Sequence, residues 1–321
     1  MNLLILGSGA MGTALAGVFS HSNNIDLWVR RIEAFDAISQ SRENTQYLPG
    51  YTIPEKVNLT HQLKDLNQYD AIITAFPTQH IRHMCNDLNI SKYDGPLINT
   101  AKGIELKTFL TPCEILIDLG CQNKNIYSLS GPCHAEEVSQ GVPTSVVLAG
   151  EEYPVLKNIL EALSSPTFRP YYSHDRLGVE LGGALKNIIA VAAGIAIGLG
   201  YGMNTLSAII TRGISEIKRY GEYRNTQSNT YNGLSCLGDL ITTCCSDFSR
   251  NREYGKSLVD ANNQYTKLAE GALTVQPLIE QINTLDFDMP LCRAVYEIVV
   301  NKIDASTMMK KLISRPLKQE D

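Results

Sequence analysis

The 321-residue sequence predicts an α/β chain in two parts, a doubly wound sheet over residues 1–177 followed by a mostly α-helical region over 178–321. Three observations carry that prediction. Short apolar runs alternate with amphipathic segments through the first half, and a glycine-rich turn, GSGAMG at 7–12, separates the first apolar run from the first helical pattern. From about Gly178 the strand signals stop and long helical periodicities take over. At this length two cores of roughly 150 residues each are the natural arrangement.

In chain order, the strands of a parallel sheet are predicted at NLLIL (2–6), IDLWV (25–29), YDAIITAF (69–76), PLINTA (96–101) and TSVVLAG (144–150). The junction RPYYSHDRLGVELGG has mixed composition and runs straight into a helix, so the two parts should pack rigidly. Helical patterns follow at Leu206–Tyr220, Asn251–Ala261 and Leu291–Asn301, with a polar loop at 224–235 and a charged tail after Arg315 that should fray. No internal repeat or low-complexity segment is present.

Composition narrows the function classes. A hydrophobic fraction of 44%, 19% charged residues and a formal net charge of −5 give no general attraction for nucleic acid or an anionic membrane. The first residues, MNLLILGSGAMG, lack a basic segment and a long apolar core, so a cytoplasmic location is expected. The most apolar stretch, Ile188–Met203, is shorter than the roughly 20 residues that span a bilayer, and no membrane insertion is expected. The eight cysteines are scattered without a CxxC pair, which predicts reduced thiols, and His80, His83 and Cys85 lack a fourth ligand at metal-binding spacing, so no metal is expected.

Lys186 opens an almost uncharged helical run, and no further charge follows it until Arg212. Helical spacing puts Gly182, Gly183, Ala190, Ala193 and Gly194 on its side, leaving a face that admits a ligand or another backbone. The ammonium either reaches out to water or meets a partner. The spacings Gly194-Gly198 and Gly198-Gly202 favour close helix packing.

Gly7, Gly9 and Gly12 between a strand and a helix have the spacing of a Rossmann-like dinucleotide turn: the first permits the turn, the second lets backbone approach a pyrophosphate, the third packs helix on strand. At the end of the second strand, where an acidic residue would select the ribose hydroxyls of NAD, stand Arg30 and Arg31, while Asp26 lies too early in the strand. Two guanidiniums there suit a 2′-phosphate, so NADP (NADPH) is preferred and NAD possible; a solvated basic pair is the alternative. NTAKGIE (99–105) puts Lys102 at the carboxyl end of the sheet, and SGPCHAEEV (130–138) reads as a turn opening a helix whose N–H groups face an anion or carbonyl. LGDLITTCCSDFSRNREYG (237–255) supplies Asp239 and Thr243 one helical turn apart. Ser249 follows as a helix cap, with Arg250 and Asn251 toward an anion.

Taken in order, GSGAMGTALA, NTQYLPG (44–50), AFPT (75–78), AKGIE, SGPCHAEEV, GVELGGALKN, GMNTLSAIITRG and LGDLITTCCSDFSRNR resemble the bacterial-type NAD(P)-dependent glycerol-3-phosphate dehydrogenases over nearly the whole chain. The resemblance implies reversible reduction of dihydroxyacetone phosphate to sn-glycerol 3-phosphate for phospholipid synthesis, in a homodimer. It implies that Lys186 is the proton donor and acceptor, with Lys102, Asp239 and Thr243 completing the catalytic set. Lys102, Gly131, Cys133, Asp239, Ser249, Arg250 and Asn251 fall at its substrate positions. Gly7, Gly9, Ala10, Met11, Gly12, Arg30, Arg31, Lys102, Ala135, Arg250, Leu268 and Glu270 fall at cofactor positions. Burial and the neighbouring Lys102 should then lower the pKa of Lys186. Met11, Cys133, Met203 and Leu206 depart from the family pattern. Two alternatives stand beside this reading: a related dehydrogenase for another small hydroxyacid or hydroxy-phosphate, and a catalytically silent NADPH-binding regulator.

Overall fold

The structure is a computed structural model, described for all residues except 64, 152, 261–264, 284, 286, 317, 318, 320 and 321, and except the side chain of residue 153. Its first part runs β1 (Asn2–Leu6), α1 (Ala10–Phe19), β2 (Asn24–Trp28), α2 (Ile32–Ser41), β3 (Val57–Thr60), β4 (Ala71–Thr74), α3 (Thr78–Asp87), β5 (Leu97–Asn99), α4 (Pro112–Asp118), β6 (Ile126–Ser130), α5 (Ala135–Ser139), β7 (Thr144–Ala149), α6 (Tyr153–Leu163) and β8 (Phe168–Ser173). The strands form one sheet in the order β3-β2-β1-β4-β5-β6-β7-β8, with a separate apolar core on each face.

All five predicted strands are present, and three more, β3, β6 and β8, join them. Strand β6, IYSLS, is wholly buried although it carries two serines, while β8, FRPYYS, alternates buried and exposed positions. The sheet departs from a wholly parallel one at β7, which pairs antiparallel with β6. The reason is local: the connection holds only the five-residue α5, which packs on α1, and no helix carries the chain back across the sheet to start a parallel strand.

The second part is helical: α7 (Arg176–Gly198), α8 (Met203–Tyr223), α9 (Asp239–Cys245), α10 (Arg250–Ser257), α11 (Glu270–Ile282), α12 (Pro290–Val299) and α13 (Ala305–Ile313). The polar loop predicted at 224–235 contains a short 3-10 turn and runs into a π turn. The helical pattern predicted over Asn251–Ala261 ends at Ser257 in α10, and its last residue lies outside the described residues, as do most residues of the charged tail. Helix α7 starts when the carboxylate of Asp175 accepts the Gly178 N–H at 3.0 Å, so the 177/178 division falls in its first turn. At 23 residues α7 exceeds the apolar run read from the sequence, and by length and composition alone it could cross a membrane; 89% of its apolar window is instead buried inside this chain.

What surrounds α7 explains its composition. Gly194 meets backbone: a Cβ added there would stand 2.0 Å from the Arg252 carbonyl oxygen, and one on Gly255 of α10 would stand 2.2 Å from the carbonyl oxygen of Val191 in α7. The small-residue face predicted beside Lys186 accepts α10 at backbone contact at its Gly194 end, while Gly182 and Gly183 face Cys236 and the Ser130 and Lys102 side chains. Two buried carboxylates tie other helices in. Glu180 of α7 accepts the Cys113 N–H and the Thr111 hydroxyl, both at 2.9 Å, at the start of α4. Glu216 of α8 accepts the Leu291 and Cys292 N–H groups at the start of α12. The Glu180 contact crosses from the helical part to the sheet part.

Gly194→Ala should destabilise the protein by about 2 kcal/mol, because helix α10 has to back away from α7. Urea unfolding monitored by circular dichroism measures this, and an unchanged midpoint would refute the close crossing.

Candidate active site

The end of β1 builds the first part of the site. Gly7 turns the chain at φ +116°, and a Cβ on Gly12 would lie 1.9 Å from the Gly7 carbonyl oxygen, so α1 starts hard against the strand. Gly9 caps α1 without any side-chain hydrogen bond, and a Cβ there would meet nothing within 4 Å. The free N–H groups of the first turn, including those of Ala10 and Met11, thus face open space at the positive end of a helix, a cradle that fits a pyrophosphate. At the end of β2, Arg30 and Arg31 are exposed; Arg30 rests on the Met84 sulfur and Arg31 reaches Gln46 at 2.6 Å. Asp26 is held by Asn58 at 2.9 Å and Tyr69 at 2.5 Å, so the strand end presents only positive charge.

Glu270 opens α11 across the crevice. Its Oε1 accepts the Thr78 N–H at 3.3 Å, and burial pushes its carboxyl up to about 7 against the opposing pull of that N–H and of Arg250. Its Oε2 and the Thr78 hydroxyl have no hydrogen-bond partner among the described residues. A Cβ on Gly103 would crowd both, at 3.1 and 2.6 Å, which keeps this corner open only for glycine. Leu268 is partly exposed on the approach to α11, and Ala135 is buried at the first position of α5.

At the centre, three charged side chains from three segments converge. Lys102 follows β5, Lys186 lies near the middle of buried α7, and Asp239 opens α9. Lys186 Nζ donates to Asp239 Oδ1 at 2.8 Å and to Thr243 Oγ1 at 2.6 Å; Lys102 Nζ donates to Asp239 Oδ2 at 2.6 Å and to the Gly131 carbonyl at 2.9 Å. Lys186 is only 5% exposed, so its ammonium meets partners and does not reach water. Gly183 leaves room beside α7 for the Lys102 stem and the Ser130 hydroxyl. Cys133 donates its thiol to the Gly131 carbonyl and sits 3.8 Å from Lys102 Nζ.

The electrostatics separate the two lysines. Burial, reinforced by Lys102, lowers the pKa of Lys186 despite Asp239. For Lys102 burial works the same way but loses to the Asp239 carboxylate, and its value is pushed up to about 12. Burial alone would raise Asp239, yet the two ammoniums outweigh it and hold the carboxyl below its ordinary value. One lysine is therefore poised to give up its proton and the other stays charged.

The start of α10 supplies the far end. Ser249 caps the helix by accepting the Arg252 N–H at 3.2 Å, and Arg250 projects from the first position with no hydrogen bond or ion pair among the described residues. Asn251, predicted to face an anion, uses its amide internally: Nδ2 donates to Asn187 Oδ1 and Oδ1 accepts the Gly271 N–H, both at 2.9 Å. Asn187 in turn reaches the Lys102 carbonyl at 3.4 Å. Sequence reasoning missed Asn187, whose signal was only its place beside Lys186, and also Gln79, which clamps the Lys102 loop at the Ile104 carbonyl and the Leu106 N–H. Of the departing residues, Met203 is on the surface and Leu206 joins the helical core.

A dinucleotide cradle, a lysine of lowered pKa and an anion-suited helix start thus share one crevice, an arrangement that fits proton exchange with a small anionic molecule beside a nicotinamide dinucleotide. Comparisons agree. Residues 2–155 match the family model of the NAD-dependent glycerol-3-phosphate dehydrogenase N-terminus, and residues 175–310 match that of its C-terminus. The chain is 39% identical to glycerol-3-phosphate dehydrogenase [NAD(P)+] of Zymomonas mobilis, covering 98% of this chain and 94% of that one. It is 36% identical to the enzyme of the same name from Roseobacter denitrificans over all of both chains. The crystal structure of a glycerol-3-phosphate dehydrogenase from Coxiella burnetii superposes with a TM-score of 0.90 at 30% identity, covering 98% and 99% of the two chains.

Replacing Asp239 by Asn leaves two buried ammoniums facing each other and should cost about 3 kcal/mol at neutral pH. Because the folded pKa of Asp239 lies below its unfolded value of 3.8, its stabilisation is present above that value and is lost as pH falls through the folded one. The gap between Asp239→Asn and the unaltered protein in urea unfolding should therefore narrow below about pH 4; a gap independent of pH would show that the carboxylate carries no charge in the fold.

Proposed function

The chain belongs to the NAD-dependent glycerol-3-phosphate dehydrogenase family, an NAD(P)-dependent oxidoreductase, and from that premise we propose how its residues carry the reaction. The observation that carries the proposal is the buried Lys186 ammonium of lowered pKa, held between Asp239 and Thr243. In reduction of dihydroxyacetone phosphate, Lys186 gives its proton to the oxygen that becomes the C2 hydroxyl of sn-glycerol 3-phosphate. In the reverse direction its neutral amine takes that proton back. The nicotinamide, when bound, supplies or accepts the hydride. Asp239 orients Lys186 and stabilises its charged form, Thr243 fixes its direction, and Lys102 stays cationic to polarise the carbonyl.

Arg250 and the capped start of α10 hold the phosphate, with Ser249 fixing the helix end and Asn251 setting the register of Arg250 from behind. Gly131 and Cys133 seat Lys102 at the substrate. The glycine turn, with Ala10, Met11 and Ala135, holds the dinucleotide, and Leu268 and Glu270 close over it. Arg30 and Arg31 favour NADP over NAD through the 2′-phosphate. The assembly is a homodimer on the family likeness alone, since α7 is covered on all sides by its own chain. A cytoplasmic location is supported by eight cysteines that are all free thiols. The product suits phospholipid synthesis. No observation favours a silent regulator, because the lysines, carboxylate and arginine that the reaction needs are all in place.

Oxidation of NADPH should require dihydroxyacetone phosphate, proceed more slowly with NADH, and be absent with unphosphorylated dihydroxyacetone, followed by cofactor absorbance. Lys186→Ala should lower kcat by about 10³-fold with NADPH affinity nearly unchanged; an equal loss of both would make the residue structural. The lowered Lys186 pKa sets the pH profile: with the ammonium required, ketone reduction falls as pH rises through that value. Glycerol 3-phosphate oxidation, which requires the amine, rises over the same window. Arg250→Ala should raise KM for the phosphorylated ketone about 10-fold or more; an unchanged KM would move the phosphate elsewhere.

A further inference from the structure

The loop between β6 and α5 delivers Gly131 and Cys133 to Lys102, and the residue after them, His134, has no part in the roles assigned so far. Its Nε2 is buried and finds no hydrogen-bond partner among the described residues. A polar ring nitrogen shut away from water without a partner is unfavourable unless something else meets it.

Two surroundings locate the ring. On one side it packs against Phe248, centroids 6.0 Å apart and planes tilted by 59°, and Phe248 directly precedes Ser249 and Arg250 at the start of α10. On the other side the chain leads back through Cys133, whose thiol lies 3.8 Å from Lys102 Nζ, to the cluster that Lys102 and Lys186 form on Asp239. His134 thus links the loop at the lysine cluster to the helix start that carries Arg250.

Its charge state follows from the same neighbours. Burial and Lys186 push the imidazole below its ordinary pKa, while Asp239 of α9 and Glu136 and Glu137 of α5 pull the other way without prevailing. The ring is therefore neutral at neutral pH, with one N–H to donate.

We infer that His134 is a further substrate-contacting residue, whose Nε2–H donates a hydrogen bond to a phosphoryl oxygen of the three-carbon substrate. The inference rests on the roles proposed for Lys186 and Arg250. An incoming phosphate monoester is rich in acceptors, and an unmet ring nitrogen beside the helix start that carries Arg250 is a donor it can meet. The bond adds nothing to proton exchange and everything to placement, so its loss is read in KM and not in kcat.

The test compares the full-length protein with His134→Phe, which keeps the ring packing on Phe248 and removes the donor, and His134→Gln, which restores an N–H. Phe should raise KM for dihydroxyacetone phosphate about 10-fold, leave kcat within about twofold and leave NADPH affinity unaltered, and Gln should recover most of the loss. Retained NADPH binding shows that each variant is folded. Independently, in the unaltered protein, which has only six histidines, the His134 side-chain ¹⁵N resonance should move on adding glycerol 3-phosphate and stay put with NADPH alone. An unchanged KM in His134→Phe, or a resonance that does not respond, overturns the inference while leaving the dehydrogenase reading intact. Absence of phosphate-dependent turnover in the unaltered protein overturns that reading and the inference with it.

Discussion

One carboxylate shared by two ammoniums is the constraint on which the site depends. Asp239 is bonded through one oxygen to Lys186 and through the other to Lys102, and none of the three could keep its charge in that position alone. The sharing is unequal. Lys102 has a carbonyl as a second acceptor and a partly open side, whereas Lys186 is sealed within α7 with a hydroxyl as its other partner. The cluster as a whole carries one surplus positive charge, which suits a crevice that receives an anion.

The remainder of the fold brings these three segments to one point. The parallel strands place the Lys102 loop and the glycine cradle at the same edge of the sheet, as open α/β sheets do. Helix α7 enters from the other part already buried, and its glycines let α10 cross close enough for Arg250 to face the same crevice. Glu180 anchors α7 to α4, so the two halves share a buried contact and not only a covalent link.

The sequence made the apolar strands visible because runs such as NLLIL and AIIT need no tertiary context. Strands β3, β6 and β8 escaped notice because serines, asparagine, arginine and proline interrupt them, and only their neighbours in the sheet make them strands. Lys186 stood out as a charge in an uncharged helix, and Asp239 with Thr243 as a pair one turn apart. That both pairings converge on one carboxylate was beyond periodicity, since the partners lie 53 and 137 residues away from Asp239. The same limit hid Asn187 and the internal use of the Asn251 amide. The small-residue face of α7 was legible as a contact surface, but its occupants, α10 at Gly194 and the Lys102 stem at Gly183, come from distant parts of the same chain.

The relay from Asn251 through Asn187 to the Lys102 backbone, with Gly271 at its other end, has a consequence for the proton chemistry beside it. Every group in the relay is an amide or a peptide, and none of them titrates in the range where Lys186 does. Four chain segments are thus clamped together beside a lysine that alternates between charged and neutral, by bonds indifferent to that alternation. The frame keeps its dimensions through a catalytic cycle while the charge inside it changes.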